Sequence, residues 1–236
     1  MQQYFVDDSL KENDLISLRD DILYHLVKVL RQTNQEFRLV DSTGSIFLCK
    51  LENNQARIIR CLDENNELDI EITVILALIK SDKFELTLQK LTELGVKRIV
   101  PYNAYRSVVK EAKKDKKLER YKKILMEASE QSHRNVIPEI TSAIDIKDIE
   151  KYKSDINIIA YEKEDIKSKS ELKAKSITLI IGPEGGFDKD EYNTIVSMGF
   201  KSISLGKRIL RAETAAMYLT SIIVGENQWR HFLWWF

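Results

Sequence analysis

The sequence has little of what defines several protein classes. Among 236 residues it contains 2 cysteines, 3 prolines and 8 glycines, and 37 Lys and Arg balance 37 Asp and Glu. Because Cys49 and Cys61 cannot form a disulfide framework, we expect a reducing compartment. No apolar run approaches the roughly 20 residues of a membrane span, and the first residues lack the apolar stretch of a signal peptide. With 43% hydrophobic and 31% charged residues, the composition excludes collagen-like and disordered chains and predicts a soluble, cytoplasmic globular protein with no membrane partner.

The first part of the chain is predicted to be rich in β-strands. Its strands are expected at residues 4–6, 45–49 and 56–61. A polar turn at residues 52–55 joins the last two as a hairpin. Asp20 or Asp21 is expected to cap a helix, whose apolar face is Ile22, Leu26, Val29 and Leu30. Small barrels are built from such elements.

After a polar break at residues 64–67, strands and helices alternate, which predicts an α/β domain with a mostly parallel sheet. Its strands are expected at residues 72–79, 98–100, 156–161, 177–181 and 200–204. Helices are expected to end at Gly95, Gly199 and Gly225, and a long basic helix is expected over residues 113–131. A capping box of Asp188 and Glu191 is expected to begin the helix that ends at Gly199. The break predicts two domains, residues 1–68 and 69–236.

Glycine concentrates in two loops that follow predicted strands, residues 182–187 and 205–211. Parallel sheets bind ligands at the carboxyl ends of their strands, and glycine lets a backbone approach a ligand closely. The first loop lacks the spacing of the phosphate-binding and dinucleotide-binding loops. Because Glu184 would repel phosphate, the ligand is expected to be neutral or cationic where it touches this loop.

Other kinds of site are less well supported by the sequence. The three histidines have no ligand spacing with one another or with the cysteines, so no metal site is predicted. Lysine and arginine are dense over residues 110–123, and two interpretations remain open. The segment is either a solvated helix face or a strip that binds a polyanion.

The two glycine loops, residues 182–187 and 205–215, resemble the signature of the RsmE family. These are SPOUT-class methyltransferases that methylate N3 of a uridine in small-subunit (16S) ribosomal RNA. Further blocks resemble the family in the same order along the chain, at residues 4–6, 25–31, 89–96, 106–108 and 127–134. The resemblance extends to about Gly225 and is specific in its paired loops.

The resemblance implies a C-terminal SPOUT domain with a trefoil knot, an N-terminal PUA-like RNA-binding barrel, and a homodimer. It also implies a pocket for S-adenosylmethionine in the knotted loops, with the backbone of Ile181, Leu205 and Leu210 reading the adenine. The residues implied for this pocket are Tyr161, Glu162, Ile181, Gly182, Pro183, Glu184, Gly185, Gly186, Leu205, Gly206, Ile209, Leu210, Arg211, Glu213, Thr214 and Ala215.

Uridine N3 becomes a good nucleophile only after it loses its proton, so the reaction needs a base or cations around the developing anion. Arg211 and Arg106 are candidates for stabilising that anion or anchoring phosphate, and Glu213 for orienting the base or accepting a proton. A salt bridge is the alternative role for either arginine. The residues expected to bind the small-subunit ribosomal RNA or ribosomal particle are Lys113, Lys114, Lys116, Lys117, Arg120 and Arg134.

Three questions stay open at the level of the sequence. The chain could be a SPOUT enzyme that acts on another RNA nucleotide, or a ribosome-assembly factor that binds RNA without catalysis. The aromatic tail at residues 229–236 is expected to pack against protein rather than stack on bases. No residue identifies the general base.

Overall fold

A computed structural model describes residues 1–29, 36–110, 117–161 and 172–228 of the chain. Two compact units are present, residues 1–67 with 129–136 and residues 68–128 with 137–236. Several predictions fall outside the described residues: those for Leu30, Lys113, Lys114, Lys116, Glu162 and the tail 229–236.

The first unit is a five-stranded sheet with the strand order β1-β3-β4-β5-β2. Its strands are β1 (Gln3–Phe5), β2 (Leu15–Ser17), β3 (Glu36–Val40), β4 (Ile46–Glu52) and β5 (Gln55–Leu62). β1 pairs with β3 in parallel, and the other pairs are antiparallel. The predicted strands and the hairpin are confirmed. β2 and β3 were not predicted from the sequence.

The helix predicted in this unit differs from the expectation. α1 (Asp20–Tyr24) begins after Arg19 with no side-chain cap, so the predicted aspartate cap is wrong. It continues as a π-helical turn, His25–Val29. Ile22 and Leu26 are buried as predicted, but Val29 is 55% exposed. A π-helical turn holds more residues than an α-helical one. Spacing calculated for an α-helix therefore places Val29 on the buried face, whereas the wider turn moves it to the exposed side.

The second unit carries a six-stranded sheet with the order β11-β9-β10-β6-β7-β8, in which every pair is parallel. The predicted α/β class is therefore confirmed. Its elements are β6 (Glu71–Ala77), α2 (Ser81–Glu93), β7 (Arg98–Tyr102), α3 (Leu118–Gln131), β8 (Glu139–Ile140), the 3-10 helix Ile146–Tyr152, β9 (Ile156–Ala160), β10 (Ser176–Ile181), α4 (Lys189–Ser197), β11 (Lys201–Ile203) and α5 (Ala212–Gln228).

Both faces of this sheet are buried, which explains the near-continuous apolar runs of β6 and β10. Val74 and Leu76 of β6 face one hydrophobic cluster, which α2 and α5 cover with residues such as Leu88 and Leu219. Ile75, between them in sequence, faces a second cluster that includes Ile195 of α4. The strand ends are therefore held in fixed positions at the edge from which the glycine loops emerge.

The helix ends predicted in this unit are partly confirmed. α2 ends just before Gly95 and α4 just before Gly199. The predicted stop at Gly225 is wrong, because α5 continues to Gln228. One glycine costs a helix only about 1 kcal/mol, which packing of this helix against α2 can offset. β8 and the 3-10 helix were not predicted.

Residues 129–136 are held in the first unit by polar contacts. Arg134 forms an ion pair of 2.5 Å with Glu67. The side-chain amide of Asn135 donates to the carbonyl oxygens of Gly44 and Glu64 at 2.9 and 3.0 Å. Within the described part of the chain, no helix is long and apolar enough to cross a membrane.

Candidate active site

A cavity of about 250 Å³ lies at the carboxyl edge of the parallel sheet in the second unit. The loops after β7, β9, β10 and β11 line it together with the start of α5. Its lining residues are Arg106, Ala160, Tyr161, Ile181, Gly182, Pro183, Glu184, Gly185, Gly186, Phe187, Leu205, Gly206, Arg208, Ile209, Leu210, Arg211, Ala212 and Ala215. Its size is close to the roughly 300 Å³ at which small-molecule pockets begin.

The loop after β10, residues 182–187, is a closely packed turn. The amide of Gly186, at a φ of +67°, donates to the carbonyl of Pro183 at 2.9 Å. A Cβ on Gly182 would lie 2.8 Å from the ring of Phe187, and a Cβ on Gly185 would lie 3.4 Å from Cβ of Arg106. Only glycine fits at Gly182 without displacing the ring, so this wall of the cavity is backbone.

The predicted capping box at the start of α4 is confirmed. The Asp188 carboxylate accepts from the Asp190 amide at 3.0 Å, and the Asp188 amide donates to Glu191 at 3.2 Å. Asp188 also forms an ion pair of 3.0 Å with Arg106. The Asp190 amide and then the Arg106 guanidinium hold the pKa of Asp188 below its usual value. Asp188 is thus charged at neutral pH and contacts a residue of the cavity.

An aromatic pair borders the cavity on the side of β9. The rings of Tyr161 and Tyr192 stack with centroids 4.0 Å apart and planes at 21°. Tyr161 follows β9, and Tyr192 belongs to α4. The stack fixes the orientation of the Tyr161 ring where it lines the cavity.

The three residues predicted to be catalytic lie in different environments. Arg106 and Arg211 both line the cavity. Arg106 forms a salt bridge, the alternative role predicted for either arginine, and its partner is Asp188, whereas Arg211 is exposed and forms no ion pair with any described residue. Glu213 is only 8% exposed, lies outside the lining and pairs with Lys83 at 3.3 Å. The prediction that Glu213 acts on the reacting base is therefore not supported by its position.

Most residues predicted for cofactor binding meet at this cavity. Thr214 is exposed and, like Glu213, does not line it, because both point away at the start of α5 while Ala212 and Ala215 face inward. The sequence reasoning missed Ala160 and Phe187, whereas Arg208 and Ala212 lie within the segment 205–216 that the resemblance implied for the pocket. Both missed residues are adjacent in sequence to a predicted residue, so a wider reading of the same segments would have included them.

The residues predicted to bind RNA differ in accessibility. Lys117 is half-buried, and Arg120 is exposed but pairs with Glu85 at 2.7 Å. Arg134 is 3% exposed, and its guanidinium is occupied by Glu67. A phosphate could reach Arg134 only after that pair opens, so a direct contact with RNA is not supported at this position.

Comparison with known proteins places the chain among enzymes that methylate RNA. A family model described as an RNA methyltransferase domain matches residues 66–224. The chain is 36% identical to the ribosomal RNA small subunit methyltransferase E of Mesomycoplasma hyopneumoniae, over 93% of this chain and 97% of that protein. It is 32% identical to the protein of the same name from Bacillus subtilis, over 94% and 96% of the two chains.

A solved structure extends the likeness to three dimensions. The ribosomal RNA small subunit methyltransferase E from Neisseria gonorrhoeae, bound to S-adenosyl methionine, matches with a TM-score of 0.86 at 28% identity, covering 94% of this chain and 96% of that one. By its family match and its relatives, the chain belongs to the RNA methyltransferase family, in the ribosomal RNA small subunit methyltransferase E group.

Proposed function

We propose that this protein transfers a methyl group from S-adenosylmethionine to N3 of a uridine in small-subunit (16S) ribosomal RNA. The proposal depends on one observation above all. The two glycine loops form a cavity at the carboxyl edge of the sheet, in a chain that matches ribosomal RNA small subunit methyltransferase E relatives over more than nine-tenths of its length.

The residues of the cavity fit S-adenosylmethionine. That cofactor, when bound, supplies an electrophilic methyl group on a positively charged sulfur. The wall at residues 182–186 presents backbone groups, which can bind an adenine without charged side chains. Glu184 is exposed and is the only carboxylate among the described lining residues, so it favours a cation at this loop. The backbone of Leu205 and Leu210 is proposed to complete the adenine site.

Arg211 is the residue proposed to stabilise the uridine anion. It lines the cavity and has no ion pair with described residues, so its guanidinium is available for the negative charge that develops when N3 loses its proton. Arg106, held by Asp188, is proposed to orient the nucleotide. The N3 proton is proposed to pass to water, because Glu213 is paired with Lys83 outside the lining.

The remaining features of the proposal concern RNA and assembly. Residues 1–68 are proposed to be a PUA-like RNA-binding barrel, and residues 69–236 a SPOUT domain with a trefoil knot. The RNA-binding strip is proposed to comprise Lys113, Lys114, Lys116, Lys117 and Arg120. Binding through such cations weakens as salt rises. A ribosomal substrate places this activity in the cytoplasm.

A homodimer is also proposed. Large apolar side chains are exposed on the second unit, where a second copy could cover them. Ile209 is 84% exposed, Val108 83% and Tyr218 48%. Apolar side chains that form a contiguous exposed patch are typical of surfaces that bind protein, and these three are proposed to belong to one.

Methyl transfer to isolated ribosomal particles tests the proposal. Small subunits that lack the modification are incubated with the protein and S-adenosylmethionine labelled on its methyl group, and large subunits serve as the control substrate. We expect label in the small subunit only, mapped to N3 of a single uridine. Label on another nucleotide would support the alternative of a different RNA target. Cofactor or RNA binding without transfer would support an assembly factor.

A further inference from the structure

Glu191 is a fully buried carboxylate beside the cavity that contributes no atom to its lining. Its side chain is 0% exposed. It lies in the first turn of α4, where the helix dipole favours a negative charge. A buried carboxylate is costly unless several donors bind it, so its hydrogen bonds show what it holds together.

Among the residues that the structure describes, three donors bind this carboxylate, and only one of them belongs to the capping box. The Asp188 amide donates to Oε2 at 3.2 Å. The Tyr102 hydroxyl donates to Oε1 at 2.5 Å, and the Tyr105 amide donates to the same oxygen at 2.8 Å. Burial and the hydrogen bond to Glu191 raise the pKa of Tyr102, so its hydroxyl stays a donor. Two of the three bonds therefore tie α4 to β7 and to the loop after it.

That loop carries Arg106 into the cavity. The Ser107 amide donates to the Ala104 carbonyl at 3.1 Å, which closes a turn around Tyr105 and Arg106. Glu191 fixes the backbone immediately before Arg106, and Asp188 holds its guanidinium at 3.0 Å. Both members of the capping box thus contact the turn, one at the backbone and the other at the side chain.

We infer that Glu191 is a positioning residue for methyl transfer, which acts by holding the 104–107 turn so that Arg106 meets the substrate nucleotide at the cavity. The inference rests on the proposed function, because Arg106 needs a substrate to orient. Misplacing an orienting group by about 1 Å can reduce a rate roughly a hundredfold, so a fixed turn has a direct effect on catalysis.

A double-mutant cycle separates positioning from a general loss of stability. Glu191→Gln keeps the size of the side chain and removes its charge, and Tyr102→Phe removes a single donor. Ile195→Val is the control, since Ile195 is buried in the same helix and does not line the cavity. Each change is made in the wild type and in Arg106→Ala, and single-turnover methyl transfer to small subunits is measured.

We expect Glu191→Gln to slow methyl transfer about tenfold and Tyr102→Phe to slow it by less. Neither change should slow transfer much further in Arg106→Ala, because the effects of residues that act through one another are not additive. Ile195→Val is expected to lower the thermal unfolding midpoint without changing the rate. A Glu191→Gln loss that persists undiminished in Arg106→Ala would overturn the inference.

Hydrogen exchange provides a second readout that needs no activity. The Tyr105 amide should exchange faster in Glu191→Gln than in the wild type and Ile195→Val. Unchanged exchange at Tyr105 would overturn the inference even if Glu191→Gln slows methyl transfer. If the wild type transfers no methyl group, the proposed function is wrong, and exchange at Tyr105 still decides whether Glu191 holds the turn.

Discussion

The two glycine loops of the cavity differ in how they are held. In the loop at 182–187, Phe187 is buried, a Cβ on Gly182 would strike its ring, and the capping box of α4 follows directly. In the loop at 205–211, a Cβ on Gly206 would meet no atom within 4 Å, and Ile209 is 84% exposed. The loop at 182–187 is packed at Gly182 and Phe187, although a Cβ on Gly186 would also meet no atom within 4 Å. The loop at 205–211 packs Leu205 and Leu210 against the core and presents Ile209 and Arg211 to solvent.

The difference indicates a division of roles between the loops. A backbone wall that is packed at Gly182 and Phe187 holds its shape for a small cofactor, which reduces the entropy cost of ordering the loop on binding. Exposed side chains such as Arg211 remain available for a larger substrate or a second copy of the chain. We therefore expect substitutions in the loop at 182–187 to act on stability and cofactor binding, and substitutions in the loop at 205–211 to act on the reaction.

Arg211→Ala is expected to have the largest effect, and it should fall on the reaction alone. Loss of a group that stabilises developing negative charge lowers a rate by about a hundredfold or more, while an exposed side chain contributes little to folding. Single-turnover transfer and thermal unfolding are measured side by side. Lys207→Ala is the matched control, as it removes the same charge from the same loop outside the lining. Equal losses in the two variants would contradict a specific role for Arg211.

Gly182→Val is the matching test of the packed loop. The new side chain must displace the Phe187 ring, which lies 2.8 Å from the position of its Cβ. Overpacking of this kind costs about 1–3 kcal/mol of unfolding free energy, measured by urea denaturation. Adding Phe187→Leu should recover part of the loss. An unchanged urea midpoint would show that this wall is not packed as described.

Gly206→Ala is expected to lower the free energy of unfolding by less than Gly182→Val does. The space around Gly206 is open, so only its φ of +117° opposes a side chain, at about 1–3 kcal/mol, with no ring to displace. Urea denaturation compares it directly with Gly182→Val. A larger loss in Gly206→Ala would reverse the contrast between the two loops.

Asp188→Asn is expected to have the smallest effect, visible as a dependence on pH. Asparagine also caps helices, but it cannot pair with Arg106. The folded-state pKa of Asp188 is lowered by the Asp190 amide and then by Arg106, so its stabilisation is present above the unfolded pKa of about 3.9 and is lost as pH falls through the folded value. At about pH 7 the thermal unfolding midpoint of the wild type should be higher than that of Asp188→Asn. The difference between the two midpoints should disappear towards about pH 3. A difference between the midpoints that does not change with pH would show that the charge of Asp188 does not stabilise the fold.

Local signals in the sequence predicted much of this site. The capping box of Asp188 and Glu191 depends on residues three apart, and the first glycine loop follows β10, whose apolar run is unmistakable. Contacts between distant residues carry no such signal. The pairing of Glu213 with Lys83 and of Arg134 with Glu67 could not be predicted from spacing along the chain.

Short or irregular elements were equally hard to predict. β8 has two residues and β2 has three, too few to show an alternation of apolar and polar side chains. The π-helical turn at His25–Val29 breaks the α-helical period without a glycine or proline to announce it. The burial of Glu191 depends on Tyr102, which packing of the whole sheet brings beside α4.

Calorimetric titration with S-adenosylmethionine, of the wild type and of Gly185→Val, tests the central claim most directly. Gly185 is exposed, has an ordinary φ, and a Cβ there would meet Arg106 at a contact distance of 3.4 Å. The variant should therefore lose less stability than Gly182→Val while its side chain narrows the cavity beside Arg106. We expect saturable binding to the wild type and none to the variant. No binding to the wild type, or equal affinity in the two proteins, would contradict the assignment of this cavity as the cofactor site.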